Sequence, residues 1–239
     1  MKLTKQEIQF IDNYLIKNEV KYWDVRLELL DHIVSAVEDK MTNEGVSFNE
    51  ALLDIHRGFG NQFIEFGVSK DKIFEKGLYQ SNAGFKKFIK NKQKEIGRKN
   101  RKRYWVIYRE TFFSLGFILE YIVFILAIFM TYQYKPKAAF MIALLALVAP
   151  ELLKFKYVFR KGVRHSLNAN MVGLLNTSFL CFQGMLLDFY KDEFTYNGII
   201  DYRYIICFYV LVYPFVRVSF NLYKEVLNTT KERYKLLIS

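Results

Sequence analysis

Acidic residues that could bind a partner recur near the start of the chain at the spacing of one helix face. They follow one another at intervals of four, three and seven residues, which places them along one side of a helix beside a histidine. A charged helix face is most often simply solvated. The other interpretation is that it docks a basic partner, either another protein or the chain's own basic segment, residues 86–103. The partner-binding residues would then be Asp24, Glu28, Asp31, His32 and Glu38.

The three histidines do not predict an enzyme or a metal centre. His32 and His56 could share a metal ion, but they fall on different helices and show no ligand-spacing signature. A surface or core position is the ordinary role for such histidines. The chain contains no HExxH motif and no recognisable nucleophile or paired-carboxylate arrangement. We therefore expect no catalytic residues, no metal and no cofactor.

A second set of polar residues lies inside the apolar stretches of the second half. Burying an unpaired charge in hydrocarbon costs at least about 2.5–3.5 kcal/mol, so each member needs a partner or a function. Arg217 and Glu151 are predicted to lie at similar depths in the membrane, near its cytoplasmic edge, which favours an ion pair between them. Glu120 is predicted to lie deeper and would be either neutral or reached by the long side chain of Arg217. The set either holds a helical bundle together or forms a path for a ligand or proton. Its members are Glu120, Glu151, Asn176, Gln183 and Arg217.

A dense basic segment precedes the first apolar stretch. Residues 83–110 contain eleven Lys or Arg against two Glu, which accounts for most of the chain's formal charge of +11. Because this charge adjoins an apolar span, anionic lipid is a better partner than nucleic acid, and no direct nucleic-acid binding is expected. The predicted lipid-headgroup residues are Lys86, Lys87, Lys90, Arg98, Lys99, Arg101, Lys102 and Arg103.

The second half has the pattern of four membrane-spanning helices. Each stretch is apolar and approaches the roughly 20 residues that a helix needs to cross a bilayer. The loop between the second and third stretches is basic and the loop between the third and fourth is acidic, which predicts that both termini are cytoplasmic in a multi-pass protein of the cell inner membrane. The predicted spans are residues 112–130, 138–153, 167–187 and 204–220.

The first 82 residues predict a small bundle of amphipathic helices. Thr4 with Glu7 and Ser47 with Glu50 are capping-box patterns, which mark two helix starts, and Gly45 is placed to end the helix between them. The second helix has an apolar row at spacings of four and three, formed by Trp23, Leu27, Leu30, Val34, Val37 and Met41. The predicted fold is therefore all-α. It has a cytoplasmic helical domain (1–82), a basic juxtamembrane segment (83–110) and a four-helix transmembrane domain with a short cytoplasmic tail (111–239).

The amino-terminal residues resemble the HAAS-type domain family. The similarity lies in the run 26–33 (RLELLDHI), the run 45–52 (GVSFNEAL) and the ending 58–60 (GFG), and it covers residues 1–67. The chain departs from the family pattern after Gly60, where it lacks the expected proline. Members of that family carry a small helical cytoplasmic module before several membrane spans, and some are encoded beside PadR-like transcription regulators. The resemblance implies a regulatory or sensory role with a cytosolic regulator as partner, and it implies no catalytic residues.

Two functional hypotheses follow. The first is a membrane regulator without enzymatic activity, whose acidic helical module recruits a cytosolic partner. The second is a small transporter or permease component, suggested by the polar residues in the spans. Because four spans are few for a carrier, the second hypothesis requires a homo-oligomer.

Overall fold

In a computed structural model the chain is all-α in class. The structure describes residues 2–63, 79–159, 161–174, 186–191, 193–196 and 199–238. The helices are α1 (Lys5–Lys17), α2 (Trp23–Glu44), α3 (Phe48–Gly58), α4 (Ala83–Phe112), α5 (Leu115–Tyr134), α6 (Pro136–Val158), α7 (Lys161–Arg164), α8 (Leu167–Gly173) and α9 (Arg203–Ile238). Two short antiparallel pairs, absent from the sequence prediction, join β1 (Gln62–Phe63) to β2 (Tyr79–Ser81) and β3 (Thr195–Tyr196) to β4 (Ile199–Ile200).

The chain forms two compact units. The first consists of Met1–Ile96 with His165–Leu167, and the second of Gly97–Arg164 with Asn168–Ser239. Helix α4 contributes its first half to one unit and its second half to the other. The domain boundaries that the sequence predicts after residues 82 and 110 stay a prediction.

Local capping signals place the first three helices as expected. Thr4 and Ser47 form complete capping boxes at the starts of α1 and α3, because each side chain accepts a backbone N–H while the Glu three residues later bonds back. Gly45 ends α2 in a left-handed conformation with φ of 67°, which glycine adopts at little cost. The capping predictions are confirmed.

The buried side of α2 coincides only in part with the predicted apolar row. Val25, Leu29, Ile33 and Val37, spaced by four residues, are buried together with Trp23. Leu27, assigned to the row by sequence, is 37% exposed. Trp23 and Val37 of the row are buried, so the prediction was wrong for Leu27 and only partly right for the row as a whole, because α2 has apolar residues on more than one side and contacts both α1 and α3.

An asparagine connects the end of α3 to the start of α4. The side-chain oxygen of Asn61 accepts the backbone N–H of Gly84 at 3.0 Å and of Phe85 at 3.3 Å, which satisfies two donors at the helix start. Phe85 is buried against the aromatic rings of Tyr14, His56 and Phe59. The beginning of the basic helix is thus part of the core of the first unit.

Among the described residues of the second unit, three helices are long and apolar enough to cross a membrane. They are Leu115–Tyr134, Pro136–Tyr157 and Arg203–Leu237. They correspond to the first, second and fourth predicted spans, although α9 extends well beyond the predicted end at residue 220. Of the predicted third span, α8 covers the beginning, while residues 175–185 lie outside the described part of the chain. The three described helices are compatible with a multi-pass membrane protein, and the predicted third span (167–187) stays a prediction.

Candidate functional site

Three of the predicted partner-binding residues contact other groups of the first unit. Glu28 forms an ion pair with Lys92 of α4. The carboxylate of Asp24 accepts hydrogen bonds from Ser166 Oγ at 2.8 Å and from the backbone N–H of Leu167 at 2.9 Å. Glu38 accepts the backbone N–H of Leu3 at 2.8 Å. The sequence allowed the acidic face to dock either another protein or the chain's own basic segment. At Glu28 the structure shows a contact with the basic segment, through Lys92.

The electrostatic consequence of this docking appears at Lys92. Its hydrogen bond with Glu28, and secondarily the one with Glu95, raises the pKa of the Lys92 ammonium above its usual value. The side chain of Lys92 is 21% exposed and that of Glu28 is 39% exposed, so solvent screens much of the attraction. The pair therefore contributes at most about 1 kcal/mol to stability.

The remaining two predicted partner-binding residues face solvent. Asp31 and His32 are exposed, and Leu27, one turn before Asp31, is an exposed large apolar residue. Ser35 and Asp39 continue the same exposed side toward the end of the helix. We refer to Leu27, Asp31, His32, Ser35 and Asp39 as the outer face of α2.

His56 is a core residue. It is 1% exposed, and its Nδ1 atom is hydrogen-bonded to the Tyr14 hydroxyl. Its ring also packs edge-on against Phe85. His32 lies on the exposed side of α2, so the weak metal pairing of His32 with His56 is not realised. In the ranges that the structure describes, no three potential ligands of a metal ion lie together.

The basic segment is helical throughout and separate from the first span. Helix α4 ends at Phe112, and Ser114 caps the start of α5 by accepting the backbone N–H of Phe117. One side of α4 carries buried apolar residues such as Ile107. Seven of the eight predicted lipid-headgroup residues are exposed, namely Lys86, Lys87, Lys90, Arg98, Lys99, Arg101 and Lys102. We call these seven residues the basic face of α4.

Arg103 is the exception among the predicted lipid-headgroup residues. Its guanidinium donates two hydrogen bonds of 2.9 Å to the Glu225 carboxylate, one from Nε and one from Nη2. This fork geometry is the strong bidentate form of the Arg–carboxylate pair. Arg103 therefore ties α4 to α9 within the second unit, a role that sequence spacing across more than 100 residues could not indicate.

Arg217 pairs with Glu120 inside the apolar helices. Its Nη2 atom lies 3.0 Å from Glu120 Oε2, and the Tyr213 hydroxyl donates to the other carboxylate oxygen. The favoured pairing of Arg217 with Glu151 was wrong, and the other possibility that sequence allowed, Arg217 reaching Glu120, is the one observed. Tyr213, one turn before Arg217, was missed because an aromatic residue in a span is usually an apolar contact.

Glu151 has a different partner, Lys154 on the next turn of α6. Their charged atoms are 2.7 Å apart, and the residues are 7% and 2% exposed. Lys154 Nζ also lies 3.4 Å from Ser219 Oγ and over the ring of Tyr223. Sequence reasoning treated Lys154 as a loop charge because it followed the predicted end of the second span. The i,i+3 spacing from Glu151 was the signal that could have found the pair.

The two remaining polar residues of the spans, Asn176 and Gln183, lie outside the described residues. The Glu120–Arg217 pair joins α5 to α9, and Lys154, the partner of Glu151 within α6, reaches Ser219 of α9. Both contacts fit the bundle-holding interpretation.

A polar cleft opens beside the Glu120–Arg217 pair. Its volume is about 440 Å³, and it is located where α4 ends, α5 begins and α9 passes. Thr111 Oγ1 accepts a hydrogen bond of 3.3 Å from Asn221 Nδ2 within the lining. The lining residues are Glu110, Thr111, Ser114, Gly116, Phe117, Glu120, Arg217 and Asn221.

Comparisons with known proteins return no relative. No family model matches the chain, and neither a curated protein nor a solved structure matches it.

Proposed function

We propose that this protein is a regulatory or sensory component of the cell inner membrane, in which the helical amino-terminal module recruits a cytosolic partner. The observation that carries the proposal is the outer face of α2. Asp24, Glu28 and Glu38 bind groups of the same unit, whereas Asp31 and His32 remain exposed beside the exposed apolar Leu27. An apolar residue flanked by charges offers both a contact to bury and a means of selecting a partner.

Charge indicates the chemistry of the partner. Asp31 and Asp39 give the outer face of α2 a negative character, and residues 1–82 contain fourteen acidic against ten basic residues. A soluble protein with a basic patch is therefore the complementary partner. The resemblance to the HAAS-type family favours a cytosolic regulator, such as a PadR-like protein, in this role.

The basic face of α4 supports a second contact, with anionic lipid. Seven exposed Lys or Arg residues precede α5, the first of the described helices that is both long and apolar enough to span a membrane. Each basic residue near an anionic leaflet contributes about 1 kcal/mol of attraction. This arrangement favours a cytoplasmic position for α4 and for both termini.

Site-specific cross-linking in cells tests the recruitment proposal on the full-length chain. A photo-crosslinking amino acid replaces Leu27, and in the matched control it replaces Ile16, an exposed apolar residue of α1. We expect a defined cross-linked soluble protein from position 27, whose yield falls at least about tenfold with Asp31→Lys, since like charges across an interface are repulsive. Cross-links that are equal at both positions, or unchanged by Asp31→Lys, would contradict the proposal.

A transporter or permease component is the second candidate function. The observation that favours it is the polar cleft, which places Glu120 and Arg217 against open space within the membrane unit. Because Glu120 and Arg217 bond to each other, the same contact also serves helix packing. A carrier built from so few spans would act as a homo-oligomer.

A further inference from the structure

The polar cleft carries an inference that is independent of partner recruitment. It lies at the break between α4 and α5, where Phe113 and Ser114 separate two helices. The break exposes the first turn of α5, whose backbone N–H groups carry the positive end of the helix dipole. The same cleft is lined by charged side chains of both signs, Glu110, Glu120 and Arg217.

The cleft contains groups suited to a phosphate. Within the described residues, Nη2 is the only guanidinium nitrogen of Arg217 with an observed hydrogen bond, which leaves Nε and Nη1 as further donors. Asn221, one turn after Arg217 on α9, and the hydroxyl residues Thr111 and Ser114 also line the space. Arginine and a helix start together are a common setting for a phosphate oxygen.

The cleft also contains a group suited to an ammonium ion. Glu120 is neutralised by Arg217, but Glu110 adds a second carboxylate, which is exposed. Its nearest described cation is Arg103 Nη1 at 3.6 Å, and Arg103 makes its shorter bonds to Glu225. An anion alone would therefore meet repulsion from Glu110, whereas a zwitterion would not.

The apolar side chains that border the cleft suit a zwitterion that is attached to an acyl chain. Phe113 and Leu115, next to the cleft residue Ser114, are 75% and 78% exposed. An ideal Cβ atom built on Gly116 meets nothing within 4 Å, so the space reaches the helix backbone. A polar cleft at the first turn of a membrane-spanning helix, bordered by exposed apolar side chains, fits an amphiphile at the membrane interface.

We propose that this cleft binds the headgroup of a zwitterionic phospholipid. Its phosphate is bound by Arg217 and Asn221, and its ammonium group by Glu110. The lipid chains lie along the exposed apolar side of α5.

Native mass spectrometry of the purified full-length protein tests this assignment. The detergent-solubilised protein is offered equimolar phosphatidylethanolamine and phosphatidylglycerol. Gly116→Leu fills the cleft from the α5 backbone, and Ala149→Leu, at an exposed position of α6 outside the cleft lining, is its matched control. Glu110→Gln removes the ammonium-binding carboxylate at an exposed position without adding bulk.

We expect one retained phosphatidylethanolamine, preferred over phosphatidylglycerol. Gly116→Leu should reduce its retention at least about tenfold, because the leucine side chain occupies the space of the headgroup and prevents it from reaching Arg217, while Ala149→Leu retains it. Glu110→Gln should abolish the preference between the two lipids. Equal retention of both lipids by the wild type, or no loss in Gly116→Leu, would overturn the proposal. Displacement of the lipid by equimolar glycerophosphoethanolamine would overturn the lipid assignment, because the site would then select a soluble zwitterion.

Discussion

The backbone of Gly84 lies against the carbonyl group of Phe59 with no room for a side chain. A Cβ atom at position 84 would overlap the Phe59 carbonyl carbon and oxygen, which are backbone atoms and cannot rotate away. The glycine therefore permits α4 to start directly on the end of α3, where Asn61 caps it. A side chain at position 84 should therefore force α3 and α4 apart.

Gly84→Ala should destabilise the first unit by about 1–3 kcal/mol, the usual cost of overpacking. The measurement is thermal unfolding of the full-length protein in a Trp105→Phe background, where Trp23, 8% exposed, reports on the first unit alone. Gly97→Ala is the control on the same helix, because its Cβ would meet only Met171 at an ordinary 3.5 Å. A Gly84→Ala protein as stable as Gly97→Ala would contradict the close approach.

Charge reversal should reveal the Lys92–Glu28 ion pair. Glu28→Lys and Lys92→Glu should each lower the unfolding midpoint reported by Trp23, and the double variant should recover part of the loss. The recovered coupling should be about 0.2–1 kcal/mol, because both side chains are partly exposed. Additive effects of the two substitutions would indicate that Glu28 and Lys92 do not interact.

The capping box at the start of α1 should make stability depend on pH. The hydrogen bond from the Thr4 backbone N–H, and then the one from its hydroxyl, lower the pKa of Glu7. Since the folded pKa lies below that of the unfolded chain, about 4.3, the stabilisation is complete above that value and disappears as the pH falls through the folded pKa.

Glu7→Gln should therefore be less stable than wild type at pH 7, and the difference should shrink toward pH 3. Unfolding followed by Trp23 fluorescence across this range measures it. A difference that stays constant with pH would show that the carboxylate charge contributes nothing.

The buried Glu151–Lys154 pair should respond differently to single and double substitution. Lys154→Met removes the cation beside Glu151 and should cost about 3–5 kcal/mol, whereas Lys154→Met with Glu151→Gln should recover much of that loss. The fraction of monodisperse protein after heating in detergent, measured by size-exclusion chromatography, is the readout. A double variant as unstable as Lys154→Met would mean that the net charge of the site is not the cause.

Substitutions at the Glu120–Arg217 pair should separate helix packing from transport. If the pair joins α5 to α9, Glu120→Gln and Arg217→Gln should each reduce the yield of monodisperse protein. Tyr213→Phe should reduce the yield less, because it removes one hydrogen bond and no charge. Well-folded variants that lose ion or solute flux in proteoliposomes would instead favour the transporter.

The predicted membrane orientation can be tested with reporter fusions. A reporter at residue 10 and one at residue 238 should both be active in the cytoplasm, while one at residue 195 should report the opposite side. Residue 195 on the same side as residue 10 would remove the predicted third span (167–187) from the layout and would contradict the proposal that both termini are cytoplasmic.

Sequence predicted those features that depend on a few neighbouring residues. Both capping boxes and the glycine end of α2 are local, since each involves side chains within three residues of a helix end. The buried side of α2 and the partner of Arg217 depend on how helices distant in sequence rotate against each other. Predicted depth in the membrane could not distinguish Glu120 from Glu151 as the partner of Arg217, because the partner of Glu151, Lys154, lies beside Ser219, two residues after Arg217 on α9.

Helix α9 runs without interruption for 36 residues, from Arg203 to Ile238. At 1.5 Å per residue such a rod is about 54 Å long, whereas the hydrocarbon layer is only about 30 Å thick. Its carboxyl-terminal third therefore extends beyond that layer, where Lys231 lies over the ring of Tyr157 and the ring of Tyr234 packs against Gly162 of α7. A few degrees of tilt near Pro214 would move this end of α9 sideways by several ångströms and would carry the contacting turn of α7 with it.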